Sequence, residues 1–411
     1  MLQCINDLAV VDIWRFLNPE SVEFSYISPL ANIRNSRIDK LLLSSSLKMH
    51  CTGSQILQAP SPDHKAVCVT LTMSSNERGR GYWKLNNSLL QHNEYEQGIT
   101  AIFDEMMKEY GDELSNVLLW EYFKIKVKEF SISFGIQLAS SFKSKCKSLE
   151  SELDTIDRQL ALKQQPCDSL LQERLTVKQR LDEQYSTQAK GYQIRSRAKW
   201  VEEGEKSSKY FLGLEKRRQA FNSISSLEDS NGNIVFSDKE ILNAAKDFYA
   251  DLYNAKPSNE VNINSFFDSV RPEKVLDDHL HENCEGLFAV DECLTAMKKM
   301  KRNKSPGLDG LSVEFYSKFW PLIGNLMVAM FNENYENGIL PESQRRAVYS
   351  LIFKKGNSDD ISNYRPISLT NVDYRVMAFV LAQRLQSVIN TIVSYDQTAY
   401  IKGRYMGSTF D

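Results

Sequence analysis

Residues 347–369 read AVYSLIFKKGNSDDISNYRPISL. Ala347 to Phe353 is an apolar run of strand length, rich in β-formers, and it delivers Lys354 and Lys355 to a turn at Gly356-Asn357. A return segment runs from Asn363 through Tyr364, Arg365 and Pro366 to Leu369. Folded as a hairpin, the two arms bring a lysine and an arginine over one site. That pair suits a triphosphate, because an ammonium is a point charge and a guanidinium is a planar fork that matches phosphate oxygens. On charge alone the same residues are the solvated surface of an exposed hairpin.

Working outward, a basic run (Lys298, Lys299, Lys301, Arg302, Lys304) precedes Ser305-Pro306-Gly307-Leu308-Asp309-Gly310. The proline and two glycines enforce tight turns, and Asp309 is in position to cap a helix beginning near Ser312. Downstream, a helix is expected from about Asp373 to Val393. Its buried face would be Val376, Val380, Leu381, Leu385 and Ile389, with Arg384 and Gln386 pointing away. The segment 396–404, DQTAYIKGR, closes the block.

In this order and spacing, SPGLDG, NYRPISL and DQTAYIKGR resemble the opening blocks of the reverse transcriptases of LINE-type, non-LTR retrotransposons. The resemblance implies that residues 284–411 form the fingers and the start of the palm. It also implies that Arg365, with Lys354 or Lys355, grips the incoming nucleotide. The metal-binding aspartates of that family lie further downstream, and the sequence reaches Asp411 without an FxxAFD or YxDD-type motif. Two-metal phosphoryl transfer needs those carboxylates. The expectation is thus a truncated polymerase that extends no primer; Mg²⁺ serves the parent enzyme and none is expected on this chain.

Near the other end, Asp63-His64 opens the apolar stretch Ala66–Leu71. An aspartate beside a histidine can hold the imidazole in one tautomer, ready to contact phosphate or activate water. The strings SRIDKLLLS (36–44) and PDHKAV (62–67) resemble the C-terminal part of the apurinic-endonuclease-like nucleases fused to LINE reverse transcriptases. That resemblance implies His64 as catalytic histidine, Asp63 as its partner, and Asp39 as the aspartate of the RID motif. Pro62 stands where the family has Ser or Thr. The family's metal-binding glutamate and its Asn/Asp pair precede the RID motif, and nothing like GDFN occurs before Arg37. Residues 1–72 are therefore expected to be the C-terminal remnant of an α/β-sandwich endonuclease-like domain, without nicking activity.

Between these blocks, residues 73–221 are expected as a helical linker. Leu149, Leu153, Ile156 and Leu160 form one apolar stripe. Gln164-Gln165-Pro166 interrupts it, and Leu170, Val177 and Leu181 resume it, which predicts an antiparallel helical hairpin. The segment RSRAKWVEEGEKSSKYFLGLEKRR (195–218) interleaves aromatics with cations. Its EEGEKSSKYF string is similar to the segment ahead of the fingers in the same polymerases, where template RNA is held. Arg195, Arg197, Lys199 and Lys209, together with Lys301 and Arg302, are the expected nucleic-acid contacts. Read by pattern alone, the segment is an amphipathic helix with its aromatics in the core. Residues 222–283 read as a β-hairpin turning at Asn231-Gly232 with Ile224 on its first arm, a helix capped by Ser237 with Glu240 three residues on, and an acidic linker.

Composition sets the outer bounds. The 411 residues carry a net charge of −3, so any nucleic-acid surface must be local. Seven cysteines without a CxxC pattern suit a reducing, intracellular setting without disulfides. His279, His281, Cys284 and Cys293 fit no standard zinc spacing. No apolar run is long enough to span a bilayer, and the N-terminus lacks the pattern of a signal peptide. The expected fold class is multidomain α+β, with template RNA and target DNA as the parent's partners and RNA as a possible partner of the chain itself. The rival is a non-enzymatic RNA-binding or coiled-coil scaffold that uses the Leu149–Leu160 stripe.

Overall fold

The computed structural model describes residues 10–27, 35–58, 63–72, 81–162, 168–196, 224–254, 260–270, 274–282, 284–399 and 401–404. The chain divides into two compact units, one of residues 1–78 with 138–225, the other of residues 79–137 with 226–411. The helical segment expected as a single linker thus contributes to both. Among the described residues, all four sheets are two-stranded and antiparallel.

In chain order the first unit begins with β1 (Val10–Asp12), α1 (Ile13–Leu17), β2 (Leu42–Ser44) and α2 (Ser45–Lys48). Strands β3 (Cys51–Gln58) and β4 (Lys65–Leu71) follow. Strand β1 pairs with β2 and β3 with β4. Trp14 is buried between two guanidiniums, Arg15 at 5.0 Å and Arg37 at 4.9 Å from its ring centre. Arg37 grips Asp12 with two hydrogen bonds of 3.1 and 2.6 Å.

Next come α3 (Asn93–Tyr110), the 47-residue α4 (Asn116–Leu162) and α5 (Asp168–Ser196). The second half of α4 belongs to the first unit and closes on α5. Cys146, Leu149, Leu153 and Ile156 are buried together with Val177 and Leu181, flanked by Phe142, Leu160 and Tyr185. The stripe read from the sequence is therefore filled by the chain's own next helix. Arg174 Nε donates to Asp157 Oδ1 at 2.7 Å across this seam, and Lys65 on β4 reaches the other oxygen of Asp157 at 3.1 Å. The Pro166 turn lies outside the described residues.

The second unit adds β5 (Leu227–Glu228), β6 (Ile234–Val235), α6 (Asp238–Leu252), α7 (Glu260–Ser269) and α8 (Asp278–Glu282). It continues with α9 (Val290–Lys299), α10 (Val313–Asn337), α11 (Glu342–Arg345), β7 (Val348–Phe353), β8 (Tyr364–Leu369) and α12 (Val372–Ile392). The β5–β6 hairpin begins at Leu227, not Ile224. Its loop is organised by Asp229 Oδ1, which accepts from the amides of Asn231 and Asn233 at 2.9 and 2.8 Å, while Gly232 takes φ +82°. Ser237 caps α6 in a full capping box with Glu240.

Helix α10 supplies most of this unit's core: Phe315, Tyr316, Ile323, Met327, Met330 and Phe331 are all 0 % exposed. Ser312, not Asp309, is its N-cap, accepting from the amide of Phe315 at 3.3 Å. Helix α12 buries Val372, Asp373, Val376, Met377, Val380 and Val388. Leu381 and Leu385 are exposed, which corrects the expected stripe. Arg384 does not point away either: it pairs with Glu292 and donates to the carbonyls of Gly286 and Leu287 at 2.8 and 2.9 Å. These three partners on one guanidinium outweigh the apolar stripe in setting the helix's rotation.

Candidate functional site

The β7–β8 register pairs Tyr349 with Ser368, Leu351 with Pro366, Ile352 with Arg365 and Phe353 with Tyr364. The Lys354 amide then donates to the Asn363 carbonyl at 2.9 Å, so the pairing runs one position beyond the strand. Directly opposed residues share a face and alternate positions along a strand share a face. Lys354 and Arg365 therefore leave the same side of the ribbon as diagonal neighbours, and both are exposed. Lys355 falls in the connecting turn. Gly356 takes φ +98° there, and a Cβ on it would sit 2.8 Å from the Asn363 side chain.

Both ends of this hairpin are anchored to one buried polar hub. Asp373, the second residue of α12 and 0 % exposed, accepts from Trp120 Nε1 at 2.9 Å and from Lys124 Nζ at 3.1 Å. Lys124 also donates to Ser343 Oγ at 2.7 Å and pairs with Glu121 at 2.8 Å. Ser343 lies on α11, just ahead of β7. Asn371, just after β8, donates to the Ser343 carbonyl at 3.0 Å and accepts from the Asp309 amide at 3.2 Å. A Cβ on Gly307 would meet Asn371 at 2.2 Å, and one on Gly310 (φ +76°) would strike Trp83 at 2.3 Å. The SPGLDG turn thus has glycines where two other segments press against its backbone.

The hub splits its two carboxylates. Burial, and then the charge of Asp373, push the Asp309 carboxyl up to about 7. Burial acts upward on Asp373 too, but the Lys124 ammonium and the N–H groups of Trp120 and Tyr374 hold it below the usual carboxylate range. Asp309 Oδ1 accepts from the Leu311 amide at 3.0 Å, whereas its sealed Oδ2 has no hydrogen-bond partner among the described residues. A cavity of about 290 Å³ opens beside these groups, lined by Glu121, Lys124, Leu308, Asp309, Ser343 and Asn371 among others. The sequence reading missed the hub, because its members lie as many as 253 residues apart. The lone signal was Asp373 in an otherwise apolar helical face.

In the first unit, Asp39 Oδ2 lies 2.8 Å from His64 Nδ1, and Tyr26 packs on the imidazole at 5.1 Å. Ser25, 0 % exposed, organises both: its hydroxyl accepts from the Asp39 amide at 3.0 Å and its carbonyl from the Lys65 amide at 2.6 Å. The structure thus brings Asp39 and His64 into a dyad, with Asp39 orienting the ring. The carbonyl of Asp63 accepts from the Ile27 amide at 2.8 Å. The Asp39 carboxylate fixes the tautomer and orientation of the ring. Lys301 and Arg302 are exposed in the loop after α9. Arg195 falls in the last turn of α5; Arg197, Lys199 and Lys209 lie outside the described residues.

No group of three or more His, Cys, Asp or Glu able to hold a metal occurs among the described residues. No helix among them is long and apolar enough to cross a membrane. The sequence matches no protein-family model. It is 30% identical over 405 residues to the transposon TX1 uncharacterized 149 kDa protein of Xenopus laevis. This chain is similar to a transposon protein. The likeness covers 98% of the chain and 30% of the length of that protein.

Proposed function

We propose that the chain is part of a LINE-type reverse transcriptase. Its second unit would be the fingers and early palm, which hold template RNA and the incoming nucleoside triphosphate. The observation that carries the proposal is the β7–β8 register, in which Lys354 and Arg365 rise from one face as a cationic pair. Similarity to a transposon protein along almost the whole chain supports it independently. The hub around Asp373 gives the pair a fixed base, since it ties the residues before β7 to those after β8. Arg365 acts as the planar fork on phosphate oxygens and Lys354 as the point charge. Lys355, in the turn, is not assigned to the grip. The Mg²⁺ that the parent polymerase uses finds no ligand set among the described residues, and no step here runs through it.

The first unit is proposed as the C-terminal piece of an endonuclease-like domain, on the strength of the Asp39–His64 dyad. The scaffold alternative loses support, because the stripe it would use is covered by Val177 and Leu181 of α5.

The test is binding of a fluorescent deoxynucleoside triphosphate to the full chain. Arg365→Ala and Lys354→Ala are each expected to weaken binding about tenfold, the scale of a charge-assisted contact, and Lys355→Ala to change it less than about twofold. Equal affinity of the wild type and the Arg365→Ala/Lys354→Ala double variant would sink the assignment.

A further inference from the structure

Beside the hairpin, Tyr249 of α6, Tyr253 at the C-cap of α6 and Tyr349 of β7 have ring planes within 20° of parallel. Their centroids are separated by 6.0 Å (249–253), 6.0 Å (249–349) and 6.3 Å (253–349). In a single pile of three rings, one separation would be about twice the others. Three nearly equal separations put the rings at the corners of a triangle, so they tile a stepped aromatic surface. Tyr249 is 9% exposed and seats the group, whereas Tyr253 is 61% and Tyr349 50% exposed. Phe353 follows Tyr349 on the same face of β7, half exposed and packed on Tyr364 at 5.4 Å.

The charge beside this surface is ordered. Lys239 and Lys246 lie seven residues apart on one side of α6, the side that leads to Tyr253 at its C-cap, and both lysines are exposed. Asp247 and Asp251 fall on another side, Glu240 is engaged by the Ser237 cap, and the exposed Asp238 lies on the tyrosine side at the far end of α6. Broad π-faces flanked by cations suit a polyanion that carries planar groups. A purely apolar partner would leave both ammonium groups without a use.

We infer that Tyr253 and Tyr349 are a stacking platform for unpaired bases of single-stranded RNA, with Lys239 and Lys246 on the phosphates. The inference rests on the reverse-transcriptase reading for its choice of RNA, and it adds a site separate from the triphosphate grip. Tyr349 and Phe353 leave one face of the β7–β8 ribbon; Lys354 and Arg365 leave the other.

The experiment titrates the full chain with a short fluorescent oligo(rA), its abasic counterpart and oligo(dA). Tyr253→Leu and Tyr349→Leu are each expected to weaken oligo(rA) binding about tenfold, and Tyr→Phe at either position to stay within about twofold, because the ring does the stacking. The abasic strand, which keeps the phosphates, should bind the leucine variants as it binds the wild type. Lys239→Ala/Lys246→Ala should flatten the log–log salt dependence by about 0.7 per lysine. Unchanged triphosphate binding by the leucine variants checks that the unit is folded. Leucine variants that bind oligo(rA) like the wild type overturn the platform and leave the reverse-transcriptase reading standing. Absence of RNA binding by the wild type at low salt overturns both, and equal affinity for oligo(dA) overturns the assignment to RNA.

Discussion

Asp309 and Asp373 are two carboxyls in one hub with opposite tendencies, and the difference should be visible in stability against pH. The Asp309 carboxyl titrates near 7 in the fold and near its ordinary 3.8 when unfolded. Between those values the folded chain holds the extra proton, so this group's contribution falls as pH rises from about 4 to 7. Asp373 has the reverse sign: its folded value is depressed, so its contribution is present above its unfolded value and is lost as pH falls through the folded one. Asp309→Asn keeps an acceptor for the Leu311 amide and cannot ionise. It is expected to raise stability at pH 8 by on the order of 1–2 kcal/mol and to flatten the profile between pH 4 and 7, read by urea denaturation at each pH. Lys124→Met should do the opposite. It leaves Asp373 buried without its main countercharge and should cost roughly 3–5 kcal/mol. A stable Lys124→Met variant would mean that the N–H groups of Trp120 and Tyr374 suffice to hold the carboxylate.

At the level of elements, α12 separates what the residue pattern reveals from what it hides. Val376 and Val380 were legible as core, since apolar residues four apart on a helix share a face. Leu381 and Leu385 extend the same pattern on paper, yet they are 39% and 49% exposed. The pattern could not register that Arg384 would be drawn inward by Glu292 and by the carbonyls before α9. Val376→Ala should therefore cost about 1–3 kcal/mol in chemical denaturation, and Leu385→Ala less than about 0.5 kcal/mol. Equal costs would restore the sequence-derived face. The α4–α5 seam was legible for the same reason that Val376 was. The β7–β8 hairpin was legible in outline, from its strand-forming runs and Gly356, but its register was not. Register is set by Ser343 and Asn371 at its base, and nothing local announces that those two residues meet. The Asp39–His64 contact spans 25 residues and was legible only as members of two short strings, because Ser25, which joins them, carries no signal of its own.

Across the whole molecule, both units are discontinuous: each is built from an early stretch and a later one. This has a consequence for the order in which a ribosome delivers the parts. Trp120, Phe123 and Val127 are 0% exposed in the finished fold, yet the indole's partner Asp373 is made 253 residues after it. At about 5–20 residues per second that gap lasts roughly 10–50 s, far longer than helix formation takes. During that interval the first half of α4 can pack only on α3, as Phe123 does on Phe103 at 5.6 Å, while Trp120 waits for its partner. Truncated chains released after Gly338 should accordingly be cut by chymotrypsin at Trp120 and Phe123, and chains extending through Arg404 should resist at both. Equal protection in the shorter chains would mean that α3 and α10 already shield the face without the hub. If the sites stay open until Asp373 has been added, the nascent chain carries an unshielded aromatic stripe while those 253 residues are made, and its yield in a cell will depend on how well chaperones occupy that stripe while translation continues.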